Sequence, residues 1–286
     1  MAVKLNYRQY SDSGPPLLIL HGLFGSLSNW GWHSKQLADS YAVYGVDLRN
    51  HGDSPHAPDM NYPLMARDVA GLLGDLGIAS CAMIGHSMGG KVAMQLALTE
   101  PGLLDKLAVV DIAPVQYASS ADGHLAVLDG MAKLNFEQVN SRRDAELFLR
   151  DYIKDEETRQ FVLTNLARGE GAGKETGEAS GKDGGHGEGN RYHWRLNLEA
   201  ITANYDRLRE KPGPGKPFDK PTLFIKGALS NYIQAEHERE TLELFPRARV
   251  KVIMETGHWV HAEKPQAVQK ILRDFLANPD TSGQEK

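Results

Sequence analysis

The 286-residue chain contains one cysteine, Cys81. A lone thiol excludes an internal disulfide framework, and its place in the apolar run Cys81-Ala82-Met83-Ile84 marks a small buried hydrophobe, which fits a reducing compartment. Basic charge is scarce: 32 Lys and Arg against 37 Asp and Glu give a formal net charge of -5, and no basic run breaks that balance. Such a surface carries no electrostatic footprint for nucleic acid or for an anionic membrane. No apolar stretch reaches bilayer-spanning length, and Met1 to Arg8 lack the apolar core of a signal peptide. The expectation is a soluble cytoplasmic protein, monomer or homodimer, with neither nucleic acid nor membrane as partner. Internal repeats are lacking as well.

What is present is an alternation of short apolar runs with helix-period segments, the mark of a parallel sheet with helices on its faces. The spacing predicts strands at Leu17–Leu20, Tyr41–Val46, Cys81–Ile84, Leu107–Val110, Thr222–Ile225 and Val250–Ile253. Their near-continuous apolarity predicts a sheet buried on both sides. Helices are expected at Leu64–Leu76, Lys91–Leu98 and Pro265–Ala277, the last with proline where its missing N–H costs little. Between Pro114 and Pro221 the alternation stops: Gly123–Leu134, Ser141–Lys154, Glu156–Ala167 and Leu196–Leu208 read as helices with no strand between them. This predicts a core built from residues 1–114 and 218–286 with a helical cap inserted at 115–217. Within the cap, 169–189 is glycine-rich and nearly devoid of apolar side chains, so burial cannot offset its ordering entropy; it reads as a mobile surface loop rather than a phosphate cradle, because no strand precedes it.

The chemistry-bearing residues cluster at strand ends. Gly85-His86-Ser87-Met88-Gly89 follows a strand and precedes a helix, the context of a nucleophile elbow, where the turn is too sharp for side chains beside the serine. Ser87 is the candidate nucleophile, and its hydroxyl needs a base within hydrogen-bond reach. Of eleven histidines, His258 follows the last predicted strand and satisfies the order serine, acid, histidine. His86 and His21 read as structural. His261 and Glu263 lack a third convincing ligand, so no metal is expected. The loop after the penultimate strand, Ala228-Leu229-Ser230-Asn231-Tyr232-Ile233, has no carboxylate; Asp111, one strand earlier, is the expected acid, with Glu236 or a cap acid as its replacement if Asp111 merely forms a turn before Pro114. His21-Gly22-Leu23-Phe24-Gly25-Ser26 presents backbone amides, and the Leu23 and Met88 N–H groups are the expected oxyanion donors, with Phe24 as substitute; each such donor is typically worth roughly 3 kcal/mol of barrier. Asp47 and Arg49 are assigned to fixing loops. Trp30, Phe136, Phe148, Phe161, Trp194, Tyr205 and Trp259 are possible pocket walls, with Phe24, Trp194 and Trp259 as substrate contacts.

These motifs, with Val110-Asp111-Ile112-Ala113-Pro114-Val115, Gly257-His258-Trp259-Val260-His261-Ala262-Glu263-Lys264-Pro265 and the cap segment Trp194-Arg195-Leu196-Asn197-Leu198, resemble the α/β-hydrolase superfamily, and within it the YbfF-type esterases and their eukaryotic abhydrolase-domain relatives. The likeness covers nearly the whole chain and departs at the glycine-rich stretch. It implies an α/β-hydrolase fold, mostly parallel, with helices on both faces and an inserted cap. It also implies a Ser-His-Asp hydrolase of carboxylic esters, or thioesters such as acyl-CoA, with small to medium acyl chains and without metal or organic cofactor. Serine at position 87 argues against a dehalogenase, which needs a carboxylate there. An acyltransferase or C–C bond hydrolase would use the same three residues, and a ligand receptor of this fold stays open as a non-catalytic alternative.

Overall fold

A computed structural model describes residues 2–118, 123–169 and 192–278, so the expectation for the glycine-rich stretch lies, Gly169 apart, outside the described residues. Strand β1 (Tyr7–Gln9) is followed by β2 (Pro16–Leu20), α1 (Gly31–Leu37), β3 (Ala42–Val46), α2 (Tyr62–Asp75), β4 (Cys81–His86), α3 (Met88–Thr99) and β5 (Leu104–Val110). An insertion then carries α4 (His124–Lys133), α5 (Arg142–Leu149), α6 (Glu156–Leu163), β6 (Leu166–Arg168), β7 (Tyr192–Trp194), α7 (Leu198–Ala203) and α8 (Tyr205–Arg209). The chain returns through β8 (Thr222–Gly227), α9 (Glu238–Leu244), β9 (Ala248–Ile253), α10 (Val260–Glu263) and α11 (Pro265–Ala277).

Seven strands form one sheet in the order β1-β3-β2-β4-β5-β8-β9, parallel except for β1 against β3. Alternation along each strand divides the core into two layers. Leu18 and Leu20 of β2, Met83 of β4 and Val109 of β5 join α2 and α3 on one face. Leu17, Ile19, Ile84, Ala108 and Val110 join α1 and α11 on the other. The helices start where their sequence dictates: the Asn61 side chain accepts from the Leu64 N–H at 2.9 Å, and α11 opens on Pro265 and buries Val268, Leu272 and Leu276 on one stripe.

Four departures from the expected elements have physical causes. First, β6 and β7 pair antiparallel inside the insertion, where no strand was expected; with three residues each they are too short for a period-two signal, and the helical pattern of Glu156–Ala167 ends early at Leu163. Second, Leu196–Leu208 is two short helices joined at Asn204. Third, β1 is exposed throughout and leaves no apolar trace in the sequence. Fourth, β9 is an edge strand whose Val250 and Val252 are about half exposed (51% and 53%), so the sheet is not buried on both sides at this edge.

The insertion is fastened to the loops at the carboxyl edge of the sheet. The Asn197 N–H donates to Asn50 O at 3.0 Å, Asn204 Nδ2 donates to Pro58 O at 2.8 Å, and Arg195 pairs with Asp53 at 2.6 Å.

Candidate active site

In a parallel sheet all strands deliver their carboxyl ends to one edge, where the following loops meet. Five non-glycine residues among the described residues have positive φ: Phe24, Asn50, Ser87, Asp111 and Glu255. They follow β2, β3, β4, β5 and β9, so every one lies at that edge. Backbone strain concentrated in one place marks a functional site.

Ser87 sits between β4 and α3 with φ 50° and ψ -117°. The turn is possible because a β-carbon on Gly85 would lie 2.4 Å from Gly89 O, and one on Gly89 would lie 2.4 Å from His21 O. The Ser87 N–H donates to Val110 O at 2.9 Å, which locks the elbow to β5. Met88 opens α3, so its N–H has no partner within the helix.

Asp111 is fully buried, yet its carboxylate is surrounded by donors. Gly227 N–H reaches Oδ1 at 2.9 Å, and the Ser230 hydroxyl and His258 Nδ1–H both donate to Oδ2, the latter at 2.8 Å. A buried charge persists only with such partners. An Nδ1–H held by Asp111 leaves Nε2 of His258 as the basic nitrogen. The Tyr232 ring lies against the imidazole at a centroid distance of 4.1 Å, and His86, buried behind it, donates from Nε2 to His258 O at 3.0 Å. Burial holds the His86 ring well below the usual histidine range, so it remains a neutral brace. Glu236, the alternative acid, has a largely exposed side chain near His237.

The loop after β2 is braced by two more buried histidines. His21 donates from Nδ1 to Gly22 O at 2.8 Å and accepts from the Leu48 N–H at 3.0 Å. His51 donates from Nδ1 to Arg49 O at 2.9 Å and accepts from the Phe24 N–H at 3.3 Å. Burial lowers both, His51 to about 3. The Phe24 amide, the expected substitute donor, is engaged by His51, and Leu23 and Met88 line the cleft together with Ser87. Asp47 takes the Leu27 and Asp53 N–H groups, and Arg49 pairs with Asp68 at 2.6 Å in the interior, so both secure loops.

A cleft enclosing about 380 Å³, part of it open to solvent, touches Ser87. Its apolar lining is Leu23, Met88, Ile112 and Leu208; its polar lining includes Tyr62, Tyr117 and Lys91. The protein itself occupies those polar groups. Tyr62 donates to Leu208 O at 2.5 Å, Tyr117 donates to Tyr232 O at 2.5 Å, and Lys91 donates to Val115 O, Arg209 O and Glu210 O at 2.8, 3.2 and 2.5 Å. Burial pushes the Lys91 ammonium down to about 7, with Glu210 pulling it back up. Of the expected aromatic walls only Tyr205 lines this cleft. Phe24, Trp194 and Trp259 do not: Trp194 donates to Met131 O, Trp259 packs on Phe161, and Phe24 meets His124 edge-on. Trp30 is a core residue stacked on His261. Among the described residues no group of three or more His, Cys, Asp or Glu could hold a metal ion; Glu263 instead takes the Gly257 and Trp259 N–H groups.

Sequence reading missed Ser230 and Lys91. Ser230 stands in the very loop searched for a carboxylate, and Lys91 is the one charged residue in a helix otherwise buried from Met88 to Leu98. Both signals were available.

A family model described as alpha/beta hydrolase fold matches residues 15–265. The chain belongs to the α/β-hydrolase fold family. It is 38% identical over 270 residues to the mouse (Mus musculus) protein named sn-1-specific diacylglycerol lipase ABHD11, covering 92% of this chain and 81% of that one. With the Escherichia coli protein named esterase YbfF it shares 34% identity over 281 residues, covering 96% and 99%. A solved structure titled marine microorganism esterase superposes with a TM-score of 0.87 at 34% identity, covering 96% of this chain and 100% of that one.

Proposed function

We propose that this α/β-hydrolase is a carboxylic-ester hydrolase that works through an acyl-enzyme on Ser87. The observation that carries this is the 2.8 Å contact between His258 Nδ1 and the buried, three-donor carboxylate of Asp111, beside a strained elbow serine. His258 takes the Ser87 proton as the hydroxyl attacks the acyl carbonyl, and Asp111 stabilises the imidazolium. The Leu23 and Met88 amides receive the oxyanion, a contribution of roughly 3 kcal/mol each. His258 returns the proton to the leaving alcohol; water then repeats the attack and frees the acid. The inserted segment serves as a cap over the cleft.

The cleft at Ser87 is lined by the apolar side chains of Leu23, Met88, Ile112 and Leu208, which supports an acyl chain as the group held there. Three of its polar side chains, Tyr62, Tyr117 and Lys91, already bond to backbone carbonyls, which supports an uncharged acyl chain. The same attack accepts thioesters, so acyl-CoA belongs in the substrate screen beside the lipid esters suggested by the name of the mouse relative. Ser87→Ala should abolish hydrolysis of p-nitrophenyl butyrate and labelling by a fluorophosphonate probe. Turnover persisting in that variant removes the proposal.

A further inference from the structure

The geometry points to Asn165 and His51 as positioning residues that aim the oxyanion loop, so that the seating of the inserted segment and the setting of the Leu23 amide are one event. This inference rests on the ester-hydrolase reading above.

Phe24 is the residue after Leu23, and at φ 60° it holds a left-handed conformation without being glycine. A non-glycine residue stays there only when its surroundings over-determine it. Both of its backbone polar groups are gripped by buried side chains from distant parts of the chain. From the β3 loop, His51 Nε2 accepts the Phe24 N–H at 3.3 Å. From the insertion, Asn165 Nδ2 donates to Phe24 O at 2.7 Å. Asn165 is itself fixed three times more: Nδ2 also reaches Val162 O at 3.2 Å, its backbone N–H donates to Val162 O at 3.0 Å, and its own carbonyl accepts the Arg195 N–H at 3.0 Å, next to β7. The peptide unit joining Leu23 to Phe24 is therefore held at the Phe24 N–H by His51, and the following unit at Phe24 O by Asn165.

Rotation of that first peptide unit moves the Leu23 carbonyl and strains the neighbouring Leu23 N–H, the proposed oxyanion donor. His51 can accept only while its Nε2 is bare, and its Nδ1–H bond to Arg49 O fixes that tautomer. Burial pushes the ring down to about 3, so it is neutral at neutral pH. Asn165 has a different role: it exists as a clamp only when α6 and β6 are docked. A misplacement of about 1 Å in a catalytic group costs on the order of 100-fold in rate.

The test compares Asn165→Leu, Asn165→Ala, His51→Ala and His51→Gln with the parent on p-nitrophenyl butyrate, together with the inhibition constant of a trifluoromethyl ketone of matching chain length. That ketone forms an anionic tetrahedral adduct on the nucleophile and so reads the oxyanion site directly. The Asn165 variants and His51→Ala should lose roughly 10- to 100-fold in kcat with KM within about threefold of parent, and the ketone's inhibition constant should rise by the same factor as kcat/KM falls. His51→Gln, whose side-chain oxygen can accept the Phe24 N–H, should recover part of the loss. Parental kcat, or a rate loss with the inhibition constant unmoved, overturns the inference. Should Asn165→Leu and Asn165→Ala not fold, the near-isosteric Asn165→Asp, which offers Phe24 O no donor, is read in their place: the same loss is expected, and parental kcat overturns the inference. Ser87→Ala run in parallel separates the two readings: turnover surviving there removes the ester-hydrolase proposal, whereas Ser87-dependent turnover with unaffected ketone binding in the variants removes only this one.

Discussion

Replacing Asp111 by Asn changes one atom, and the contacts at that position say what the change does. The carboxylate accepts from three donors: the Gly227 N–H at 2.9 Å, the Ser230 hydroxyl, and His258 Nδ1–H at 2.8 Å. An amide has one acceptor oxygen and two N–H donors. The Gly227 N–H cannot reverse, so the Asn oxygen turns towards it and the amide nitrogen faces Ser230 and His258. The serine hydroxyl can rotate and accept. His258 can accept only by baring Nδ1, which moves its proton to Nε2, the nitrogen that receives the Ser87 proton in the proposed mechanism. The tautomer needed for catalysis is disfavoured while volume and hydrogen bonding survive. A loss of roughly 10³ to 10⁴ in kcat follows, about 4 to 5.5 kcal/mol of barrier, with unfolding free energy changed by less than about 2 kcal/mol. Steady-state turnover of p-nitrophenyl butyrate at pH 8, with circular dichroism and a melting curve on the same preparation, measures both. A well-folded Asp111→Asn protein with kcat within tenfold of parent refutes the assignment of the acid.

Two further outcomes are expected. Lys91→Met removes a donor from three carbonyls, two of them on the returning limb of the insertion, and should destabilise the chain by about 2 to 4 kcal/mol in urea titration; an unchanged midpoint shows that the seam does not need the ammonium. Stability should also fall on acidification, because burial lowers His21, His33, His51, His86 and His261, with His51 and His261 brought to about 3. Above pH 6.5 neither folded nor unfolded rings bind protons, so stability is fully present; below it the unfolded rings take up protons that the folded ones refuse, and stability is lost as pH falls from about 6.5 towards 3. His51 and His261 each contribute up to about 1.4 kcal/mol per pH unit across that window. A urea midpoint at pH 5 equal to or above that at pH 7.5 contradicts this.

What was legible in the sequence is what local sterics impose. The glycines around Ser87 are required by atoms within a few residues or on the neighbouring strand, so the motif announces itself. The parallel strands in the middle of the sheet are apolar on both faces and read directly. Elements that depend on distant partners leave no such trace. Strand β1 pairs with β3 across an exposed edge, and Asn165 meets Phe24 from 141 residues away. The aromatic walls misled for a related reason: periodic aromatics report burial, and burial does not say which cavity a ring faces. Trp30 and Trp194 are both buried, the first in the core behind the histidine loop and the second beneath α4.

The position of the proposed acid is the instructive case, because composition revealed the problem and only register explains the answer. The loop after β8 has no carboxylate, which the sequence states plainly. Strands β5 and β8 are parallel neighbours with Val110 opposite Ile225, so the residue after Val110 lies beside the end of β8. The Asp111 N–H continues the ladder by donating to Ile225 O at 2.8 Å, and a positive φ then turns its side chain across to the Gly227 N–H. The carboxylate thereby reaches His258 from one strand over, and Ser230 donates to it from the loop that lacks an acid. On the proposed mechanism a histidine needs only an acceptor at Nδ1, and the sheet can present one from either of two adjacent strands. A search that asks which strand ends are neighbours, rather than which loop carries the acid, finds Asp111 without further help.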